Sequence, residues 1–324
     1  MKFKATIAGS ILIFWLMLAL GGAAQSAGLF ADQLAEKKVE AYERIHGESG
    51  IKRRPLATIY KEFADLARAE SQRADWIQYG TSGSGKPLMA LKVHKKNFTS
   101  VQVDLIGNQQ AKGESRPAIL ISEGIHGNEY LHITDRLPFE FMSVNQPHTE
   151  FERFLGMGGI IYFVPVMNPD GYSAGRRENS AGADLNRDFT IQAAGNTGFR
   201  QTETKAISQF IASEVKGQNL RVEVSMEYHC CIGGLIHPWA WTSEPLTGET
   251  LERHREVGEF VSDIFNYRYG TVSDILGYSA VGGSDDYYLE TYGRRAFSFE
   301  GSRGIEEQRL KEHVSLWNRI FNVL

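Results

Sequence analysis

The sequence has little cysteine and no excess of basic residues. Only 2 of its 324 residues are cysteine, Cys230 and Cys231, so a framework of several disulfides is excluded. We expect two buried thiols at this adjacent pair, with a strained vicinal disulfide or a soft-metal site as the alternatives. Lys and Arg total 35 against 39 Asp and Glu, for a net charge of -4. The chain therefore lacks the positive charge that a phosphate backbone requires, and we expect no nucleic acid partner.

The first 27 residues have the layout of a secretory signal peptide. Lys2 and Lys4 precede an uncharged stretch, 5–28, whose apolar centre is ILIFWLMLAL and whose end is the small-residue run GGAAQSAG. An uncleaved membrane anchor is the alternative, because the stretch is just long enough to span a bilayer. With cleavage near 24–27, we expect a secreted or periplasmic protein that has no stable membrane insertion.

The remaining chain divides into a short N-terminal extension, 28–54, and one domain, 55–324. A helix is predicted from about 56 to 69, after which short apolar runs alternate with helical stretches, as in an α/β layered domain. The strand predictions are 88–93, 118–122, 159–166, 222–228 and 295–299. The segment GTSGSGK, 80–86, resembles a phosphate-binding loop but is followed by Pro87 instead of Ser or Thr, and so predicts a turn between two strands.

Polar residues follow four of the predicted strands. His126 and Glu129 come after PAILISEG, NPDGY (168–172) after IIYFVPVM, His229 after RVEVSMEY, and Glu300 after RRAFSF. Because ligands bind beyond the carboxyl ends of strands in open α/β sheets, we expect these segments to form one site.

The residue types at these strand ends are those of a catalytic zinc site. His126 and Glu129 form an H-x-x-E pair, and His229 completes a His, Glu, His set that leaves a fourth position open for water. Zinc lowers the pKa of its water, but a base must still take the proton and return it to the leaving group. Glu300 is the candidate base, and a solvated carboxylate at a strand end is the alternative interpretation.

Several ordered motifs resemble those of the zinc metallocarboxypeptidases of the carboxypeptidase A type, and the resemblance covers nearly the whole chain after the signal peptide. The motifs are HGNE (126–129), NPDGY (168–172), RREN (176–179), DLNRDF (184–189), QTETKAI (201–207), YSAVGGSDDY (278–287) and FSFE (297–300), together with His229. The resemblance implies a three-layer α/β/α fold with a mixed central sheet of about eight strands.

The resemblance also implies a role for each matching residue. His126, Glu129 and His229 would bind one Zn²⁺ per chain, and Glu300 would be the general base. Arg177, with Arg176 as its rival, would stabilise the oxyanion, Asp184 would orient a zinc-bound histidine, and Asn186 and Arg187 would clamp the terminal carboxylate of the substrate. Tyr278 would close over bound substrate.

The pocket for the terminal side chain is implied by one further position. Asp285 matches the pocket floor, where an aspartate in this family selects Lys or Arg. At Asn128 the sequence departs from the digestive enzymes, which have an arginine there, so we expect recognition beyond the terminal residue to differ.

The expected function is hydrolysis of the last peptide bond of peptides with a free C-terminal carboxylate, by a monomer that prefers basic terminal residues. Two other enzymes share several of the motifs: a murein peptidase acting on diaminopimelate peptides, and an N-acyl amino acid deacylase of the aspartoacylase type. A non-catalytic relative that binds peptides or cell wall is a third alternative. Such relatives usually lose a metal ligand or the base, and this sequence has all four residues.

Overall fold

The computed structural model describes residues 47–96, 115–143 and 148–324. The predicted signal peptide, 1–27, and its alternative as an anchor lie outside these ranges. Among the described helices, none combines the length and the apolar character that crossing a bilayer requires. The described strands are β1 (Ala74–Thr81), β2 (Pro87–Val93), β3 (Arg116–Glu123), β4 (Ile160–Val164), β5 (Leu220–Ile236), β6 (Arg268–Gly270) and β7 (Arg295–Ser302).

The described α-helices alternate with these strands, as the sequence predicts. They are α1 (Leu56–Ala69), α2 (Leu137–Phe141), α3 (Thr149–Gly156), α4 (Pro169–Ala174), α5 (Thr202–Gln218), α6 (Gly248–Phe265), α7 (Val272–Leu276), α8 (Ser284–Tyr292) and α9 (Leu310–Asn322). Two 3₁₀ turns, Leu185–Arg187 and Glu306–Arg309, complete the regular elements of the described residues.

The strands form one mixed sheet. Its order is β1-β2-β4-β3-β5-β6, with β7 also paired to β5. β1 pairs with β2 and β2 with β4 in antiparallel fashion, whereas β3 pairs with β4 and β5 in parallel. The turn at 82–86 joins β1 to β2, which confirms the turn predicted at GTSGSGK.

The sheet has seven strands in the described residues, so the expectation of about eight is corrected. The reason is that β5 is one strand of 17 residues that continues through the cysteine pair. Its first part, 224–231, lies opposite 295–302 of β7. Its last part returns along β7, because Gly234 lies opposite Glu300 and Ile236 opposite Ser298. The strand predicted over 222–228 is thus longer than expected and pairs with β7 along both of its parts.

Side chains of successive strand residues point to opposite faces of the sheet, and helices cover both of these faces. On β3, Ile119 and Ile121 belong to one buried cluster, together with residues of α1, α6 and α9. Ala118 and Leu120 belong to a second cluster, together with residues of α5 and α8. Both faces of these central strands are therefore buried, which gives the three-layer α/β/α architecture that was expected.

A buried hydrogen-bond network supports β5 beside His229. Tyr228 accepts a hydrogen bond from Trp317 Nε1 at 3.0 Å, and its hydroxyl lies 3.2 Å from His313 Nδ1. His313 Nε2 in turn lies 2.8 Å from Glu306 Oε1. The other carboxylate oxygen of Glu306 accepts from the Tyr267 hydroxyl at 2.6 Å. Both Glu306 and His313 are fully buried, so each depends on these partners.

We expect Glu306→Gln to lower the free energy of unfolding by about 1–3 kcal/mol, because one amide group cannot accept at both oxygen positions. Urea denaturation at fixed metal concentration measures the change. Glu307→Gln is the matched control: Glu307 is a half-exposed neighbour that pairs with Arg136, and we expect a loss of about 0.5 kcal/mol or less. Equal stability of the two variants would contradict a structural role for the Glu306 network.

Candidate metal centre and substrate cleft

Parallel strand pairing brings the predicted site residues together. On β5 and β7 the register sets His229 directly opposite Glu300. On β3, Glu123 lies opposite Tyr228, and the chain then continues three residues to His126. The carboxyl end of β3 therefore meets the middle of β5, and His229 lies within β5 instead of at its end.

Close backbone packing fixes the loop that carries His126 and Glu129. A Cβ atom at Gly127 would lie 2.1 Å from the backbone carbon of Gly171, so only glycine fits between this loop and the start of α4. Gly127 N also donates to Arg177 O at 3.2 Å. The Asn168 side chain caps α4 by accepting from Gly171 N at 2.8 Å, and its amide donates to Ile125 O at 3.2 Å. The NPDGY motif thus positions the H-x-x-E loop.

His126, Glu129 and His229 form a buried cluster whose ligand atoms all lie within 4.8 Å of one another. His126 Nδ1 lies 2.9 Å from Glu129 Oε1, and His229 Nδ1 lies 3.2 Å from Glu129 Oε2. One carboxylate therefore faces two imidazole nitrogens at the surface of a cleft. Two nitrogens and one carboxylate with an open side make a donor set that fits a catalytic zinc ion.

The charges in this cluster also fit a bound cation. Burial opposes the ionised carboxylate, but the two histidines lower the pKa of Glu129. Burial likewise opposes a charged imidazole, yet Glu129 and neighbouring carboxylates raise the pKa of His229 to about 9, and the pKa of His126 is raised as well. Glu129 thus favours positive charge beside it. A divalent metal would supply that charge while the histidines release their protons.

Asp184 and Arg177 contact two members of the metal cluster, His126 and Glu129. Asp184 Oδ1 lies 3.0 Å from His126 Nε2, so the ring nitrogen that faces away from Glu129 has a carboxylate partner. Arg177 reaches Asp184 Oδ2 at 3.0 Å and Glu129 Oε1 at 3.1 Å. Arg176 instead donates to the backbone oxygen of Asn179 and does not line the cleft. Of the two rivals, Arg177 is the one beside the cluster.

Glu300 lines the cleft beside His229. Burial and the negative charge of Glu129 raise the pKa of Glu300 to about 7, although His229, His126 and Arg177 act in the opposite direction. A carboxylate with a pKa near neutrality can both accept and return a proton, which is what a general base must do.

The remaining predicted residues line the same cleft. Asn186 Oδ1 accepts from Ser284 N at 2.9 Å, and Arg187 donates to Asn186 O at 2.7 Å. Tyr278 is an unusually exposed aromatic residue, with 48% of its surface accessible. Asp285 lies at the start of α8, is buried, and has no hydrogen-bond partner for Oδ2 among the described residues.

Two acidic residues near the site are absent from the sequence predictions. Glu227 is buried behind His229, accepts from the Ser284 hydroxyl at 2.6 Å, and approaches His229 Nε2 to 3.9 Å. Strand alternation was the available signal, because Glu227 is two residues before His229 and shares its face of β5. Glu48 lines the cleft from the stretch assigned to the N-terminal extension, and no sequence signal indicates it.

The cysteine pair directly follows His229. The sulfur atoms of Cys230 and Cys231 are bonded to each other, so the structure has the vicinal disulfide instead of the two thiols expected from the sequence. Cys230 lines the cleft, and its backbone N–H donates to Glu129 Oε2 at 3.2 Å. The pair therefore contributes a backbone donor to the candidate metal ligand Glu129, and no thiolate.

Comparison with known proteins gives a family match over most of the chain. The sequence profile of the family described as zinc carboxypeptidase matches residues 59–313. Carboxypeptidase B2 of Bos taurus is 24% identical over an alignment of 298 residues that covers 80% of this chain and 63% of that protein. Carboxypeptidase A1 of Rattus norvegicus is 24% identical over an alignment of 290 residues that covers 77% of this chain and 63% of that protein. The chain thus spans less than two thirds of the length of these relatives.

Solved structures share the fold. Bovine thrombin-activatable fibrinolysis inhibitor, solved in complex with tick carboxypeptidase inhibitor, aligns with a TM-score of 0.65 at 21% identity, over 84% of this chain and 97% of that one. The metallo-carboxypeptidase from Burkholderia cenocepacia aligns with a TM-score of 0.61 at 14% identity, over 83% of this chain and 69% of that one. The mixed sheet flanked by helices is therefore the carboxypeptidase α/β fold.

We expect the protein to bind one zinc ion per chain and His229→Ala to lose most of it, because the cluster would keep only two ligands. Zinc content after dialysis, measured by atomic emission, gives the stoichiometry. His148→Ala is the matched control, since His148 lies at the start of α3 and not in the cleft. Full zinc content in His229→Ala would rule out this metal centre.

Proposed function

The chain belongs to the zinc carboxypeptidase family, and from that premise we propose that it removes the C-terminal residue from peptides with a free carboxylate. One observation carries the proposal: a single cleft is lined by the metal cluster, by Glu300 and by Arg187. Hydrolytic chemistry and recognition of a chain end are thus available to the same bound peptide.

His126, Glu129 and His229 are the proposed zinc ligands. When bound there, zinc makes water more acidic and polarises the scissile carbonyl. Asp184 holds the His126 ring through Nε2, which keeps Nδ1 on the side of Glu129, where it would face a bound metal. Glu300 is the proposed general base: its carboxylate removes a proton from the attacking water and returns it to the leaving amine.

Arg177 is the proposed donor to the oxyanion. Its guanidinium is held by Asp184 and Glu129, so it does not have to be ordered during the reaction. Although burial opposes its charge, these carboxylates raise the pKa of Arg177, and the side chain therefore stays cationic. A fixed cation beside the metal stabilises negative charge that develops on the substrate.

Asn186 and Arg187 are the proposed clamp for the terminal carboxylate of the substrate, and Tyr278 is proposed to close over the bound substrate. Asn186 uses its oxygen to accept from Ser284 N, which leaves its amide group to donate. A guanidinium can form two parallel hydrogen bonds to one carboxylate. This clamp accounts for attack at the last peptide bond instead of an internal one.

Asp285 supports a preference for basic terminal residues. Burial is the main cause that raises the pKa of Asp285, and an unpaired buried carboxylate is costly. A substrate ammonium or guanidinium in this pocket would give Asp285 the partner that it lacks. The amine of diaminopimelate has the same charge, so cell-wall peptides form the second candidate substrate class.

The proposed location is outside the cytoplasm, in the periplasm or the medium. It rests on the signal-like composition of 1–27, and the enzyme is proposed to act there as a monomer. A periplasmic location would give access to both proposed substrate classes.

We expect Glu300→Gln to keep its zinc and lose about 10²- to 10⁴-fold in kcat, because the amide cannot accept the proton. Product release from a peptide ending in Lys, followed by mass spectrometry, measures the rate. A metal chelator should abolish the parent activity. Retention of parental kcat by Glu300→Gln would refute its role as the base.

The same assay tests the exopeptidase proposal against its rivals. Free and amidated forms of one peptide are compared, and we expect only the free form to lose its last residue. Equal cleavage of both forms would refute the carboxylate clamp. Cleavage limited to diaminopimelate muropeptides would favour wall turnover, and release of amino acids only from N-acyl amino acids would favour the deacylase.

We expect Asp285→Asn to lower the ratio of kcat/KM for Lys-ending over Phe-ending peptides by roughly 30-fold or more, because it removes one partner of a buried charge pair. Asp263→Asn is the matched control on an exposed surface of α6, and it should leave the ratio unchanged. An unchanged ratio in Asp285→Asn would place the determinant of terminal specificity elsewhere.

A further inference from the structure

Glu48 is an acidic residue at the cleft that none of the proposed catalytic steps uses. It is exposed and lines the same cleft as Arg177 and the metal cluster. It comes from the chain that precedes α1, 80 residues before its contact residue Asn128. Its position in the cleft therefore results from tertiary packing.

Several contacts hold Glu48 in place. Its backbone N–H donates to Asn128 O at 2.8 Å, and the Asn128 amide donates to Glu48 Oε1 at 2.7 Å. Gly47 has a φ of +61°, and a Cβ atom there would lie 2.0 Å from Asn128 O, so the approach requires glycine. On the other side, Gly304 N donates to Ser49 O at 2.6 Å. The carboxylate is thus presented by a fixed turn.

The negative charge of Glu48 is not neutralised by these contacts. Asn128 is a neutral donor, and among the described residues no Lys, Arg or His lies within ion-pair distance of Glu48, although Glu48 interacts electrostatically with Arg177 from beyond that distance. Arg177 is already engaged by Asp184 and Glu129. A cationic ligand group would therefore meet a carboxylate that has no direct ion pair, because the hydrogen bonds of Arg177 go to Asp184 and Glu129.

The location of Glu48 defines which part of a peptide would meet it. Asn128 immediately precedes the ligand Glu129, so Glu48 borders the metal cluster at the H-x-x-E loop. The proposed carboxylate clamp and Asp285 are joined instead through Ser284 and α8. A terminal residue bound by Arg187 and Asp285 would have its scissile bond at the metal. The preceding residue would then lie toward Glu48.

We propose that Glu48 and Asn128 form a subsite that binds a cationic side chain, of lysine or arginine type, on the residue before the C-terminal one. This inference rests on the proposed carboxypeptidase function. It extends that function to substrates with two consecutive basic residues at the end. Because the carboxylate is solvent-exposed, its effect is modest and declines as salt screens it.

The test compares acylated peptides that end in Lys-Lys, Gln-Lys and Glu-Lys, so the terminal residue is constant. We expect the parent to have a kcat/KM about 3- to 10-fold higher for Lys-Lys than for Glu-Lys at low salt, with a smaller ratio at high salt. Glu48→Gln, whose oxygen can still accept from Asn128, should bring the ratio near one. Glu48→Lys should reverse it.

Glu259→Gln is the matched control, because Glu259 is exposed on α6 and does not line the cleft. It should keep the parental ratio. A parent ratio near one, or the same ratio in parent and Glu48→Gln, would overturn the subsite while leaving the carboxypeptidase intact. Failure of the parent to cleave any of the peptides would overturn the proposed function and this inference with it.

A binding measurement separates recognition from turnover. Zinc-loaded Glu300→Gln is titrated with the Lys-Lys and Glu-Lys peptides by calorimetry, and again in the double variant with Glu48→Gln. We expect the Kd ratio to match the kcat/KM ratio, because the subsite acts through charge attraction that is present before the reaction. Equal Kd values for the two peptides in the Glu300→Gln background would overturn it.

Discussion

The buried carboxylate of Glu129 between two imidazoles is the constraint on which the rest of the site depends. A buried carboxylate needs a partner of opposite charge. The histidine nitrogens lie where a bound metal ion could supply that charge. Asp184 then pairs with His126, and Arg177 pairs with Glu129. The tight glycine contact between the H-x-x-E loop and α4 keeps this arrangement rigid, because no wider residue fits there.

The sequence predicted the metal cluster because its chemistry follows a simple placement rule. Residues after parallel strands meet at one edge of a sheet, so His126 and Glu129 could be grouped with His229 across 100 positions of chain, although β5 continues through His229 instead of ending before it. The alternation of strands and helices likewise predicted an α/β layered domain, and the resemblance to zinc metallocarboxypeptidases implied its three layers. The roles of these residues in catalysis stay predictions.

Other features depend on contacts that leave no local pattern in the sequence. The path of β5 is one, because the predicted strand ends at 228 and no local pattern shows that it continues to Ile236. The bond between Cys230 and Cys231 is another, since adjacency fits both thiols and a disulfide. Glu48 is the clearest: its contact with Asn128 joins a turn before the first described helix to a loop after β3, and no periodicity connects them.

Both parts of β5 pair with β7, and this pairing restricts which residues of the cleft can change independently. The same strand carries the candidate ligand His229 and the cleft-lining residue Ile236. A substitution that displaces one part of the strand therefore displaces the other part as well. Asp285 and Glu48 line the same cleft from separate segments of the chain, α8 and the turn that precedes α1. Selectivity could therefore change at one of these two residues without a change at the other or at the candidate metal centre.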